Sequence, residues 1–180
     1  MSAPSLVVSV PLLAILAVAT WSDLRTRRIP NGLSFGGAAL GLLINAAMFG
    51  PTELGLAALG WALCLACFIP LYVGGGTAAG DVKLMAMVGA FLGPANGFAA
   101  CLFTLIAGGT LAACFMAWRN HVAPRLSMAG SSADRQLEPT PIGSHALDKI
   151  PYATAIALGT AAVVLHPKWL TATWPLGAIL

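Results

Sequence analysis

Charge is what this sequence has least of. Only 8% of its 180 residues are charged, while 58% are hydrophobic and the mean hydropathy is +0.86. A soluble domain carries roughly 25% charged residues. So short a chain has too little interior to hide this much apolar surface, which excludes a soluble fold and argues for an all-α integral membrane protein. Other absences narrow the chemistry. The three histidines, His121, His145 and His166, are scattered and form no HExxH, and no G-x-S-x-G or phosphate-binding loop occurs. Four cysteines, Cys64, Cys67, Cys101 and Cys114, all fall in apolar runs. Cys64 and Cys67 make a C-x-x-C with no second pair, so neither a four-ligand zinc site nor a disulfide framework is implied. They read as small packing residues. No metal and no organic cofactor is expected. The pI of about 8.9 does not point to nucleic acid, because the basic residues flank apolar segments, where they set membrane orientation.

What the chain does have is a succession of apolar runs. A bilayer core about 30 Å thick needs roughly 20 apolar residues per helix. The segments 5–22, 32–49, 54–73, 83–94, 97–118 and 150–167 predict about six transmembrane helices in one polytopic bundle, a single domain over 1–180. The first lacks the basic flank of a secretory signal and is expected to stay as a helix. Pro94 and Asn96 supply a turn inside the long run 83–118, making it a hairpin whose first arm is short for the bilayer. Six crossings put 23–31, 74–82 and 119–149 on one side. Eight basic residues gather there (Arg25, Arg27, Arg28, Lys83, Arg119, Arg125, Arg135 and Lys149), against Lys168 alone on the other. By the positive-inside rule that side is cytoplasmic. The polar stretch 119–149 reads as a cytoplasmic loop, and Trp169 and Trp174 suit an interface.

Six acidic residues exist in all, and two of them, Asp23 in WSDLRTRRIPN and Asp81 in GGGTAAGDVKL, fall at the same depth on the same side. Two converging carboxyls near membrane depth are costly, because like charges at close range cannot both ionise cheaply. Aspartic protease chemistry uses that arrangement: one carboxyl holds the shared proton and polarises the scissile carbonyl, while the other deprotonates a water. The residues alone leave other readings open. Asp81 after Gly80 suits a helix N-cap, Asp23 can balance Arg25, Arg27 and Arg28, and an aspartate pair also suits proton- or cation-coupled transport. A structural membrane subunit would need neither. Around the pair, Pro30 keeps Ile29 out of helical geometry and Asn31 is expected to cap the next helix. Lys83, about 200° round a helix from Asp81, is expected to snorkel to headgroups. Arg25 is expected to touch anionic lipid or to orient a carboxylate.

DLRTRRIPN (23–31), GDVKL (80–84) and KIPYATAIALG (149–159) resemble signature segments of the type IV prepilin peptidases, intramembrane aspartic proteases of the GxGD class. The compact chain looks like the small peptidases that process Flp-type pilins of tight-adherence systems. The resemblance implies catalytic Asp23 and Asp81 in a multi-pass protein of the cytoplasmic membrane. It implies an endopeptidase that cuts the basic leader from a prepilin's hydrophobic helix on the cytoplasmic side, with Gly80, Lys83, Arg25, Pro30 and Asn31 in support. Two residues depart from the family pattern: Ala78 stands where GxGD has its first Gly, and Ala153 where Gly is usual. The zinc-binding cysteine pairs of the larger bifunctional enzymes are missing, so no methyltransferase activity is expected. A basic cytoplasmic face would not attract a basic leader by charge.

Overall fold

The computed structural model describes residues 6–26, 30–127 and 152–165. Arg27, Arg28, Arg135, Lys149 and Lys168 lie outside the described residues, as do 128–149 of the expected cytoplasmic loop and the tail with Trp169 and Trp174. Those described are all-α: α1 Leu6–Thr26, α2 Asn31–Phe49, α3 Pro51–Val73, α4 Ala79–Ser127 and α5 Tyr152–Leu165. Three whole helices, α1 to α3, and the stretch Ala79–Cys114 of α4 are long and apolar enough to cross a membrane, and α5 is a shorter apolar helix. The protein is thus membrane-embedded, with four candidate spans by length and composition rather than six. Helical geometry also runs on through 119 to Ser127, so the polar stretch begins as helix.

The difference from six lies mainly in α4, which is one helix only by name. Gly93, at φ 73° and ψ −176°, breaks it, and the chain folds back. Thr104 Oγ1 reaches Met85 Sδ at 4.0 Å, and a Cβ at Gly97 would lie 3.2 Å from Gly89 Cα. The expected hairpin is present, turned one residue before Pro94. Proline disfavours helical geometry in the residue before it, and this positive φ with extended ψ is open essentially to glycine alone. Pro94 also lacks the N–H that would bond the Ala90 carbonyl four residues back. The side chain of Asn45 on α2 supplies the donor. Its Nδ2 reaches Ala90 O at 3.1 Å and Phe91 O at 3.3 Å, besides its own helix at Gly41 O, 2.9 Å away.

The first arm of α4, 79–92, is the centre of the bundle. Leu84, Met85, Met87, Val88 and Ala90 are fully buried, with helices α1, α2, α3 and α5 packed about α4. At about 1.5 Å per residue the arm spans roughly 21 Å. An arm sheathed in protein need not match the lipid thickness, so the mismatch expected from its length does not arise. Close approach replaces large side chains as the packing device: a Cβ at Gly60 would run into the Gly89 carbonyl oxygen, and one at Gly89 into Gly60. Small residues of this kind let membrane helices meet backbone to backbone. All four cysteines are free; Cys64 and Cys101 are buried in this packing, Cys67 is half-buried and Cys114 is exposed.

The triple glycine closes α3. Gly75, at φ 72°, sends its N–H to Tyr72 O at 3.0 Å, while Gly76 N–H reaches Leu71 O at 2.8 Å. This pair of bonds, with a left-handed residue between, is the Schellman helix stop. The chain then needs only Thr77 and Ala78 before α4 begins.

Candidate functional site

Asp23 continues the inward-facing stripe of α1. Leu12, Leu16 and Ala19 are buried, and a residue four further on falls on the same face. Its carboxyl is half-buried, where Trp21, Leu24 and Arg25 around it are exposed. Arg25 turns outward, its guanidinium 4.9 Å over the Trp21 ring.

Asp81 enters from the other direction, in the first turn of α4, and is 5% exposed. Its Oδ2 accepts the Ala78 N–H at 3.2 Å, and its own N–H donates to Ala78 O at 3.0 Å. The carboxylate therefore caps the helix from its third position, the acidic half of a capping box, rather than from the N-cap itself. One accepted bond leaves most of a carboxylate's acceptor capacity unused. Capping fixes Asp81 without occupying it. The two carboxyls lie within range of each other's charge. Gly80 is half-buried beside Asp81, and Ala78 is exposed, so its methyl meets open space rather than the bundle.

Lys83 and Asn31 depart from expectation together. Pro30, at φ −59° and ψ 128°, is the N-cap of α2 and gives no side-chain bond, and Asn31 is the first helical residue. Its Oδ1 instead accepts from Lys83 Nζ at 3.0 Å, and the ammonium sits 5.3 Å from the Phe35 ring centroid. Lys83 is thus fastened to α2 rather than free to reach headgroups. It joins the chain just after Asp23 to the helix that holds Asp81.

Three hydroxyls have no role assigned from the sequence. Tyr152, first residue of α5, packs edge-on against Phe68 with centroids 6.4 Å apart at 75°. It lies within range of the Asp81 charge. Thr20, three residues before Asp23, and Thr77, four before Asp81, carry buried hydroxyl oxygens without partners among the described residues. The available signal was rarity: only two tyrosines occur, and one opens the last apolar helix. Between α3, the second arm of α4 and α5 lies a cleft of about 270 Å³, lined by Leu71, Gly76, Leu105, Gly108, Gly109 and Tyr152. Ala153, the other departure from the family pattern, is fully buried next door.

No curated protein and no solved structure matches this chain. The family comparison does find one: residues 10–116, which contain both aspartates and end before α5, match the type IV leader peptidase family. The match spans more than half of the chain, and the chain belongs to that family of proteases.

Proposed function

We propose that the protein is an aspartic endopeptidase of the cytoplasmic membrane that removes the leader from Flp-like prepilins on the cytoplasmic side, using Asp23 and Asp81 as its catalytic pair. The observation that carries this reading is the buried, capped Asp81 within charge range of Asp23, in a chain of the leader peptidase family. One carboxyl, protonated, donates to the oxygen of the scissile carbonyl. The other, ionised, takes a proton from water as the water oxygen bonds to the carbonyl carbon. The resulting gem-diol collapses, the C–N bond breaks, and the leaving nitrogen takes up a proton, freeing a carboxylic acid and an amine. The buried hydroxyls of Thr20 and Thr77 are natural partners for that water, since buried polar groups are nearly always satisfied. The pair requires no metal in this scheme, and N-methylation of the product lies outside it. Coupled transport would use the same two carboxyls but is not favoured by the family match.

Purified protein in detergent should cut a Flp-type precursor once, between its basic leader and its hydrophobic helix, as read by mass spectrometry of both products. Inside-out vesicles should cut added precursor and right-side-out vesicles should not. Failure of wild type on a panel of precursors would refute the substrate reading.

A further inference from the structure

Tyr152 is the one polar side chain among the six cleft residues named above, and its surroundings hold it there. Phe68 supports one edge of the ring. On the other side Gly108 offers no side chain: a Cβ there would lie 2.6 Å from the phenol oxygen and 2.7 Å from the ring carbon that bears it. The ring therefore lies directly on the second arm of α4, with its hydroxyl at the cleft. Tyr152 is half-buried, and among the described residues its hydroxyl makes no hydrogen bond, so the donor is open to a ligand in the cleft. It is also close enough to Asp81 to interact with its charge. Gly76 at the cleft wall belongs to the loop that leads into Asp81. A volume of about 270 Å³ is below the 300–1,000 Å³ usual for small-molecule sites, and suits one or two apolar side chains.

We propose that Tyr152 is a substrate-binding residue of the aspartate site: its hydroxyl donates a hydrogen bond to the backbone of the bound peptide, while the apolar side chain beside the scissile bond enters the cleft between α3, α4 and α5. The inference rests on the peptidase reading and adds what that reading lacks, a subsite. The occupant is apolar and extended. Leu71 and Leu105 form the greasy walls, and the glycines leave room for a backbone to pass. Extended backbone has unpaired carbonyls, and inside a membrane bundle each needs a donor. Tyr152 is the donor at hand.

Two variants test it. Tyr152→Phe keeps the ring, its packing on Phe68 and its contact with Gly108, and removes only the donor. Its KM for precursor should rise about tenfold, the scale of one lost hydrogen bond, with kcat within about twofold of wild type. Gly109→Leu adds bulk at the cleft wall, where a Cβ meets nothing within 4 Å, so it narrows the cleft without disturbing the core. It should slow cutting of a precursor with Phe next to the scissile bond by tenfold or more, and spare the same precursor with Ala there. Binding is read separately, as affinity of fluorescent precursor for Asp81→Asn protein with and without Tyr152→Phe. An unchanged affinity together with an unchanged KM, or equal losses on both precursors in Gly109→Leu, overturns the subsite while leaving the peptidase intact. Wild type that cuts no precursor overturns the peptidase reading, and the subsite falls with it.

Discussion

Asn45 should be worth more to this fold than any aspartate. It sits 8% exposed within α2, in a segment otherwise suited to lipid. Its side-chain N–H groups serve the carbonyls of Ala90 and Phe91 at the break in α4. Replacing it with Leu keeps the bulk but removes both donors. Ala90 O then has no helical partner, because Pro94 has no N–H to offer. A buried polar group left unpaired costs about 1–3 kcal/mol. Measured hydrogen bonds between membrane helices average about 0.6 and reach about 1.7 kcal/mol, so Asn45→Leu should lose roughly 1–2 kcal/mol. Asn45→Asp, assayed at high pH where the carboxyl is ionised, should lose more, since a carboxylate would face two carbonyl oxygens with nothing to donate. The assay is reversible unfolding in mixed micelles, followed by tryptophan fluorescence. Asn45→Leu at or above wild-type stability, or Asn45→Asp no worse than Asn45→Leu, would refute the role given to this side chain.

Three further outcomes follow from the same geometry. Gly93→Ala meets no atom within 4 Å, so its cost is the backbone alone, about 1–3 kcal/mol for a residue forced to this φ and ψ, read in the same unfolding assay. Lys83→Met keeps the apolar stem but frees Asn31; cleavage should slow several-fold, no more than about 1 kcal/mol in the barrier for an exposed pair, and Lys83→Arg should recover part of it. Cleavage should follow a bell-shaped pH profile, falling at low pH when both carboxyls are protonated and at high pH when both are ionised. A profile with one flank only would contradict the shared proton.

The two aspartates stand out as candidates because charge is so scarce here that each acidic residue is conspicuous. The helices were legible from their runs of apolar residues. What could not be read was which helix lies inside. In a soluble protein a polar face marks the outside, but α3 and both arms of α4 are apolar all round, so Leu59, exposed, and Leu84, buried, look alike in sequence. Gly60 and Gly89 held the information, though neither has a partner that can be named without the fold. The turn was misplaced by one residue because Pro94 is the visible signal and Gly93 the residue that bends. Asn31 was read as a cap from its neighbours in the chain, when its partner Lys83 lies 52 positions away. Tyr152 stood in the signature segment 149–159, but 71 positions from Asp81 nothing local gave its hydroxyl a role.

The most direct measurement is precursor cleavage by Asp23→Asn and Asp81→Asn against wild type, each first shown to be inserted and monodisperse. Asn at position 81 can still accept the Ala78 N–H through its amide oxygen, so the start of α4 should hold and the comparison should be fair. The account predicts that each single change lowers the rate by on the order of a hundredfold to ten-thousandfold, with precursor still bound. A well-folded variant of either kind that cuts at near the wild-type rate would show that these two carboxyls are not the catalytic pair.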